Sequence, residues 1–208
     1  FTDSAGNNNT VSNTYNWTHD ATGPTMTLTS SAVADGGTHN AAVTMTFTSS
    51  EATSNFVEGD ITVTNASISN FSGSGTTYTA TITPSGSSPS VMVEANKFTD
   101  GPGNNNTTSN TYNWTHDTTP PTSNSISIAG GATYTNSTSV TLSLASTGAS
   151  QMRFRNEFGS YGNWVPYATP YTWTLSNTQG VRKVWVQFKD AVGNVATEVS
   201  DMITFDSV

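Results

Sequence analysis

FTDGPGNNNTTSNTYNWTHD, residues 98–117, repeats FTDSAGNNNTVSNTYNWTHD, residues 1–20, with three differences: Ser4/Gly101, Ala5/Pro102 and Val11/Thr108. Phe98 follows Phe1 by 97 residues, and chance does not produce such a match. A weaker third copy follows, in which Phe188-Lys-Asp-Ala-Val-Gly193-Asn194 has the frame of Phe98-Thr-Asp-Gly-Pro-Gly103-Asn104. Each full copy ends on an aromatic strand closing in Asp, at Trp114-Thr-His-Asp117 and Ile203-Thr-Phe-Asp206. Asp117 leads into Thr-Thr-Pro-Pro121, a stiff linker that cannot continue a strand. The chain therefore divides into 1–20, the closing hairpin of a preceding truncated repeat, 21–117, one whole repeat, and 118–208, a second repeat of another subtype.

Composition gives the fold class. Thr, Val and aromatics favour strands, Asn and Gly favour turns, and the helix formers Leu, Lys and Glu are scarce. In 21–117, apolar residues alternate at period two, as in Val43, Met45, Phe47 and again in Tyr78, Ala80, Ile82. The pattern predicts strands at 25–30, 42–48, 61–65, 66–71, 77–83, 91–99 and 109–116, with a turn at Gly73-Ser-Gly75. In 118–208 the strongest strand signals are at 140–144, 171–175, 181–189 and 196–205. Seven short strands per repeat of 90–100 residues predict an all-β chain. The expected architecture is tandem immunoglobulin-like antiparallel β-sandwiches joined by short linkers.

Charge is distributed unevenly. Residues 1–20 carry two acids and no base, 21–117 seven acids and Lys97, and 118–208 five of each, for a net charge of −8. This balance excludes a nucleic-acid partner, since nothing would neutralise a phosphate backbone. It leaves unpaired carboxylates in 21–117, which suit a hard cation. The absence of cysteine leaves the compartment open, and no stretch is long and apolar enough to span a membrane.

At FTD-x-x-GN-x-N, SNTYNWTHDTTPPT and TFTSSEAT-x-x-F-x-x-x-DITVTN the chain resembles bacterial immunoglobulin-like repeats of giant surface and biofilm proteins. The likeness covers nearly all of 1–121, and 122–208 is similar to a second subtype less closely. It implies a secreted, extracellular segment of an adhesin stalk, biofilm matrix protein or filament. It also implies Ca2+ at the junctions between repeats. The partners implied are neighbouring repeats of the same chain, identical subunits of a filament, or surface glycans.

Topology indicates where such an ion would sit. The loop after the second strand and the turn 100–106 both return to the pole at which the linker enters. This brings Asp20, Glu51, Asp100 and Asn104 to a first junction, and Asp117, Asp190 and Asn194 to a second. Calcium takes six to eight oxygens at about 2.3–2.6 Å from carboxylates, amides and carbonyls. The bland reading is that Asp-x-x-Gly-Asn is simply a good turn, since Asp caps it and Gly and Asn accept positive φ. The second site is the poorer, because the loop 146–151 offers no carboxylate.

An enzyme is not expected. There is no cysteine nucleophile, and two of the three histidines, His19 and His116, occupy one repeat position, which points to a structural role. The aromatics of 154–173 are either sandwich filling or a sugar-stacking platform. Tyr161, Trp164 and Tyr167 fall in a Gly-rich loop and are the candidates for stacking. The alternative function is thus a carbohydrate- or host-binding module with 122–208 as its reader.

Overall fold

Alternating burial along short extended segments builds the molecule. The computed structural model describes residues 1–207, so the expected boundary at 208 lies outside it. The first set of strands is β1 (Met26–Thr29), β2 (Thr38–His39), β3 (Val43–Thr53), β4 (Ile61–Thr64), β5 (Ala66–Pro84), β6 (Ser90–Val93), β7 (Tyr112–Asn113) and β8 (Thr115–His116). The second set is β9 (Thr122–Ile128), β10 (Tyr134–Thr135), β11 (Ser139–Thr147), β12 (Gln151–Asn156), β13 (Val165–Pro166), β14 (Tyr171–Thr174), β15 (Gly180–Lys189) and β16 (Val199–Phe205).

The sheets pair as two sandwiches. In the first, β1-β3-β5 faces β4-β6-β7. Val43, Met45 and Phe47 of β3, Tyr78, Ala80 and Ile82 of β5, and Val91 and Val93 of β6 all enter one core. In the second, β14-β11-β9 faces β10-β16-β15-β12-β13, around Leu142, Phe154, Val186 and Phe188. Burying such a side chain contributes about 1.5–3 kcal/mol, so each core rests on many contributions of that size. The chain is all-β, an immunoglobulin-like sandwich architecture, as composition and periodicity indicate. In each half a two-residue strand also pairs in parallel with the closing strand, β2 with β8 and β10 with β16. Nothing in the periodicity announces strands that short.

Two expected strands differ, while those at 66–71 and 77–83 form a hairpin about the expected turn. The segment Ala66–Pro84 is extended throughout but doubles back, since Asn70 Nδ2 donates to Thr81 Oγ1 at 3.3 Å and Ser72 bonds Thr79. The reversal falls at Gly73 and Gly75, both at positive φ, and a Cβ on Gly73 would lie 2.4 Å from the Thr77 carbonyl oxygen. The strand expected at 91–99 stops at Val93 because Asn96 takes a left-handed φ of 62°. The one expected at 109–116 shrinks to β7 and β8.

Asn106, 2% exposed, holds this irregular stretch. Its Oδ1 accepts from the Lys97 and Phe98 amides at 2.7 and 2.9 Å, and its Nδ2 donates to the Glu94 and Thr107 carbonyls at 2.8 Å each. One buried side chain thus replaces the ladder bonds that a regular strand would have made.

The duplicated segment separates local from tertiary causes. Tyr112 and Trp114 are 5% and 2% exposed, whereas Tyr15 and Trp17, in the same sequence, are 85% and 72% exposed. The turn forms in both copies, with the Asp3 amide donating to the Asn7 carbonyl at 3.0 Å and Asp100 to Asn104 at 3.2 Å. The closing strand forms only where a sandwich is present to receive it.

Asn106→Ala should therefore destabilise the first sandwich by about 2–4 kcal/mol in urea unfolding, since it leaves buried donors and acceptors unmet. Asn9→Ala, at the equivalent exposed position, should stay within about 0.5 kcal/mol.

Candidate functional site

Three copies of one turn define the sites. In the second copy Asp100 Oδ1 accepts from the Gly103 and Asn104 amides at 2.7 Å each, and Asp100 Oδ2 accepts from Asn104 Nδ2 at 2.8 Å. In the third, Asp190 Oδ1 accepts from the amides of Val192, Gly193 and Asn194, and Oδ2 from Asn194 Nδ2 at 2.8 Å. Gly103 and Gly193 sit at φ of 102° and 105°, which a side chain would resist.

Each turn then grips a linker. Asn104 Nδ2 donates to the Asp20 main-chain oxygen at 3.3 Å, and Asn194 Nδ2 donates to that of Asp117 at 2.9 Å. The linker aspartates answer alike, since Asp20 Oδ1 accepts from the Thr22 amide and Asp117 Oδ1 from the Thr119 amide, at 3.0 and 2.9 Å. The two junctions therefore share one clasp.

They differ in what surrounds it. At the first junction the carboxylate oxygens of Asp20, Glu51 and Asp100 lie within 4.8 Å of one another. Glu51 stands on β3 rather than in the following loop, because β3 runs on to Thr53. Burial raises the Glu51 pKa, and the charges of Asp20 and Asp100 raise it further. Burial also pushes Asp100 up, but the Asn104 side chain and the backbone amides of Asn104 and Gly103 outweigh it and hold Asp100 below the ordinary value. This is a crowded, oxygen-rich anionic corner of the kind a hard divalent cation relieves. Asn104 joins it through its amide nitrogen, already given to Asp100 and Asp20.

Among the described residues, no third carboxylate joins Asp117 and Asp190 at the second junction. Asn40 Nδ2 donates instead to Asn194 Oδ1 at 3.2 Å, so the Asn194 amide is engaged at both ends. Asn40 carries no sequence signal, because its partner lies 154 positions away.

The aromatic candidates separate. Tyr167 packs edge-on against Phe188, centroids 5.9 Å apart, and belongs to the core margin. Arg153 lies over both Tyr161 and Trp164, at 4.7 and 4.5 Å from the ring centroids. The Tyr161 hydroxyl bonds Glu198, and burial first, then that bond, pushes its pKa up to about 12.

Residues 20–116 match the family model of a bacterial Ig-like domain. No curated protein matches the chain. Among solved structures, the fibronectin(III)-like modules of Clostridium thermocellum CbhA align at 16% identity and a TM-score of 0.44, over 86% of this chain and 94% of theirs. The D00-D0 domain of intimin aligns at 12% and 0.30, over 87% of this chain and 99% of its own. Dimeric latent PorU from Porphyromonas gingivalis aligns at 11% and 0.29, over 91% of this chain and 21% of its own.

The raised Glu51 pKa has a definite sign. In chelator, the protonated form is favoured in the folded state, so this group's contribution is most favourable below about pH 4.5 and is lost as pH rises through the raised value. Glu51→Gln should therefore flatten the fall in urea midpoint as pH rises above about 4.5. Asp100 acts oppositely, stabilising above its unfolded pKa and losing that stabilisation as pH falls through its lowered one.

Proposed function

Starting from residues 20–116 as a bacterial Ig-like domain, we propose that this chain is a non-catalytic structural segment of a secreted cell-surface stalk, filament or adhesin. Its mechanical property resides in the junctions. The observation that carries the reading is the recurrence of the clasp: the same Asp–Asn turn closes on the linker carbonyl at Asp20 and again at Asp117. A catalytic centre has no need of a hydrogen bond repeated at every linker, whereas a rod does.

Calcium fits the first junction on the chemistry of its donors. Asp20, Glu51 and Asp100 would hold it, and the ion would offset their mutual repulsion and bind the linker to β3 and to the turn at Asp100 at once. Among the described residues the second junction gathers no third carboxylate, and its asparagines already close it. In this reading the first junction is stiffened by a cation and the second by direct bonds. No helix among the described residues is long and apolar enough to cross a membrane, and the remainder of the parent protein would supply any anchor.

Calcium should raise the thermal midpoint of the first sandwich, with about 2.7 kcal/mol gained at a hundredfold excess over Kd. It should also narrow the small-angle scattering ensemble. The Asp20→Asn/Glu51→Gln double variant, which leaves the Asp100 turn intact, should abolish both responses. A midpoint and a scattering profile indifferent to calcium would refute the ion site and leave the hydrogen-bonded clasp as the sole stiffening element.

A further inference from the structure

The outer face of the β10-β16-β15-β12-β13 sheet gathers positive charge that neither junction uses. Met152, Phe154, Val184, Val186 and Phe188 point into the core, so strand alternation turns Arg153 and Arg155 of β12, and Lys183 and Lys189 of β15, the other way. Aromatic rings interleave with these cations. Lys189 Nζ lies 4.5 Å from the Trp164 ring centroid, and Arg153 lies 4.5 Å from the same ring and 4.7 Å from Tyr161. Arg155 lies 5.3 Å from Tyr161 and 4.6 Å from Trp185, and Lys183 Nζ is 3.9 Å from Trp185. The result is a ladder in the order Lys189, Trp164, Arg153, Tyr161, Arg155, Trp185, Lys183.

Little negative charge answers it. Glu198 bonds Arg155 at 3.2 Å. Among the described residues, no carboxylate forms a salt bridge with the Arg153 guanidinium or with the Lys183 and Lys189 ammonium groups, and Glu157 accepts from the Lys183 backbone amide at 3.2 Å. Lys183 and Lys189 are six positions apart on one strand, which spans about 20 Å at 3.3 Å per residue. At the Lys189 end the face opens into a cleft of about 470 Å³, lined by Ser150, Gln151, Pro166, Lys189 and Asp190. That volume is within the range of ordinary small-ligand sites, about 300–1,000 Å³. The Asp190 oxygens there accept from the amides of their own turn, and Lys189 Nζ stands over Trp164 beside them.

These features select among polyanions. The rings already carry cations, so neutral-sugar stacking would displace them. A chain of acidic sugars can meet the cations and place a sugar unit in the cleft, with Gln151 there as an amide partner for hydroxyls; Gln187 Oε1 is already held by Arg153 at 2.6 and 2.9 Å.

We propose that this face binds an acidic polysaccharide, a linear polymer of uronate sugars, with carboxylates along Arg153, Lys183 and Lys189 and one sugar unit seated in the cleft beside Lys189. The test is gel retardation of the 208-residue chain by polygalacturonate in chelator, with neutral dextran and polyglutamate in parallel lanes. Polygalacturonate should retard the chain, more weakly as salt rises, and dextran should not. Lys183→Gln/Lys189→Gln, verified as folded by an unchanged melting midpoint, should weaken the apparent affinity at least tenfold. No retardation, equal retardation of the folded double variant, or polyglutamate binding as tightly would overturn the proposal.

Discussion

One side-chain amide at each junction ties a turn to a linker, and the placement of the linker depends on it. Asn104 and Asn194 each give both amide hydrogens away, one to the aspartate of their own turn and one to the main-chain oxygen of the linker aspartate. The first bond fixes the asparagine, and a fixed asparagine can fix the linker. A bond to a charged carboxylate is worth about 1.5–3 kcal/mol and a neutral one about 0.5–1.5 kcal/mol. Neither is large beside a sandwich core. Each joins segments distant in the chain, Asn104 to Asp20 and Asn194 to Asp117, so a small energy there bears on how the linker sits.

The division of labour between local and distant forces explains what could be read in advance. The repeat, the turn and the alternation of β3, β5 and β6 are local patterns, and their fold was legible in composition and spacing. The turn forms even around Asp3, in a segment exposed along its length, because Asp, Gly and Asn are sufficient for it. The closing strand is different. Tyr15 and Trp17 repeat the sequence of Tyr112 and Trp114 yet remain exposed, since burial requires partners that only the intervening chain provides.

The candidate site was legible to the same degree. Asp20 and Asp100 follow from repeat logic and the direction of strands. Glu51 was expected in a loop and stands on a strand, because β3 outlasts its apolar alternation. Asn40, Asn106 and the cation ladder were not legible. Their roles rest on partners as far as 154 positions away in the chain, and a lone Asn or Arg looks the same whatever it meets. The two junctions differ accordingly: the first gathers three crowded carboxylates, and the second has the Asn40–Asn194 bond.

The central claim is that the clasp, not the linker's own stiffness, sets the angle between the two sandwiches. Pulsed dipolar spectroscopy can measure this, because the chain has no cysteine and labels can be placed at Ser74→Cys and Thr178→Cys, both exposed. In chelator the labelled protein should give one narrow distance distribution, and Asn194→Ala should broaden it while each sandwich melts as before. A distribution already broad before the change, or one that Asn194→Ala leaves untouched, would contradict the account.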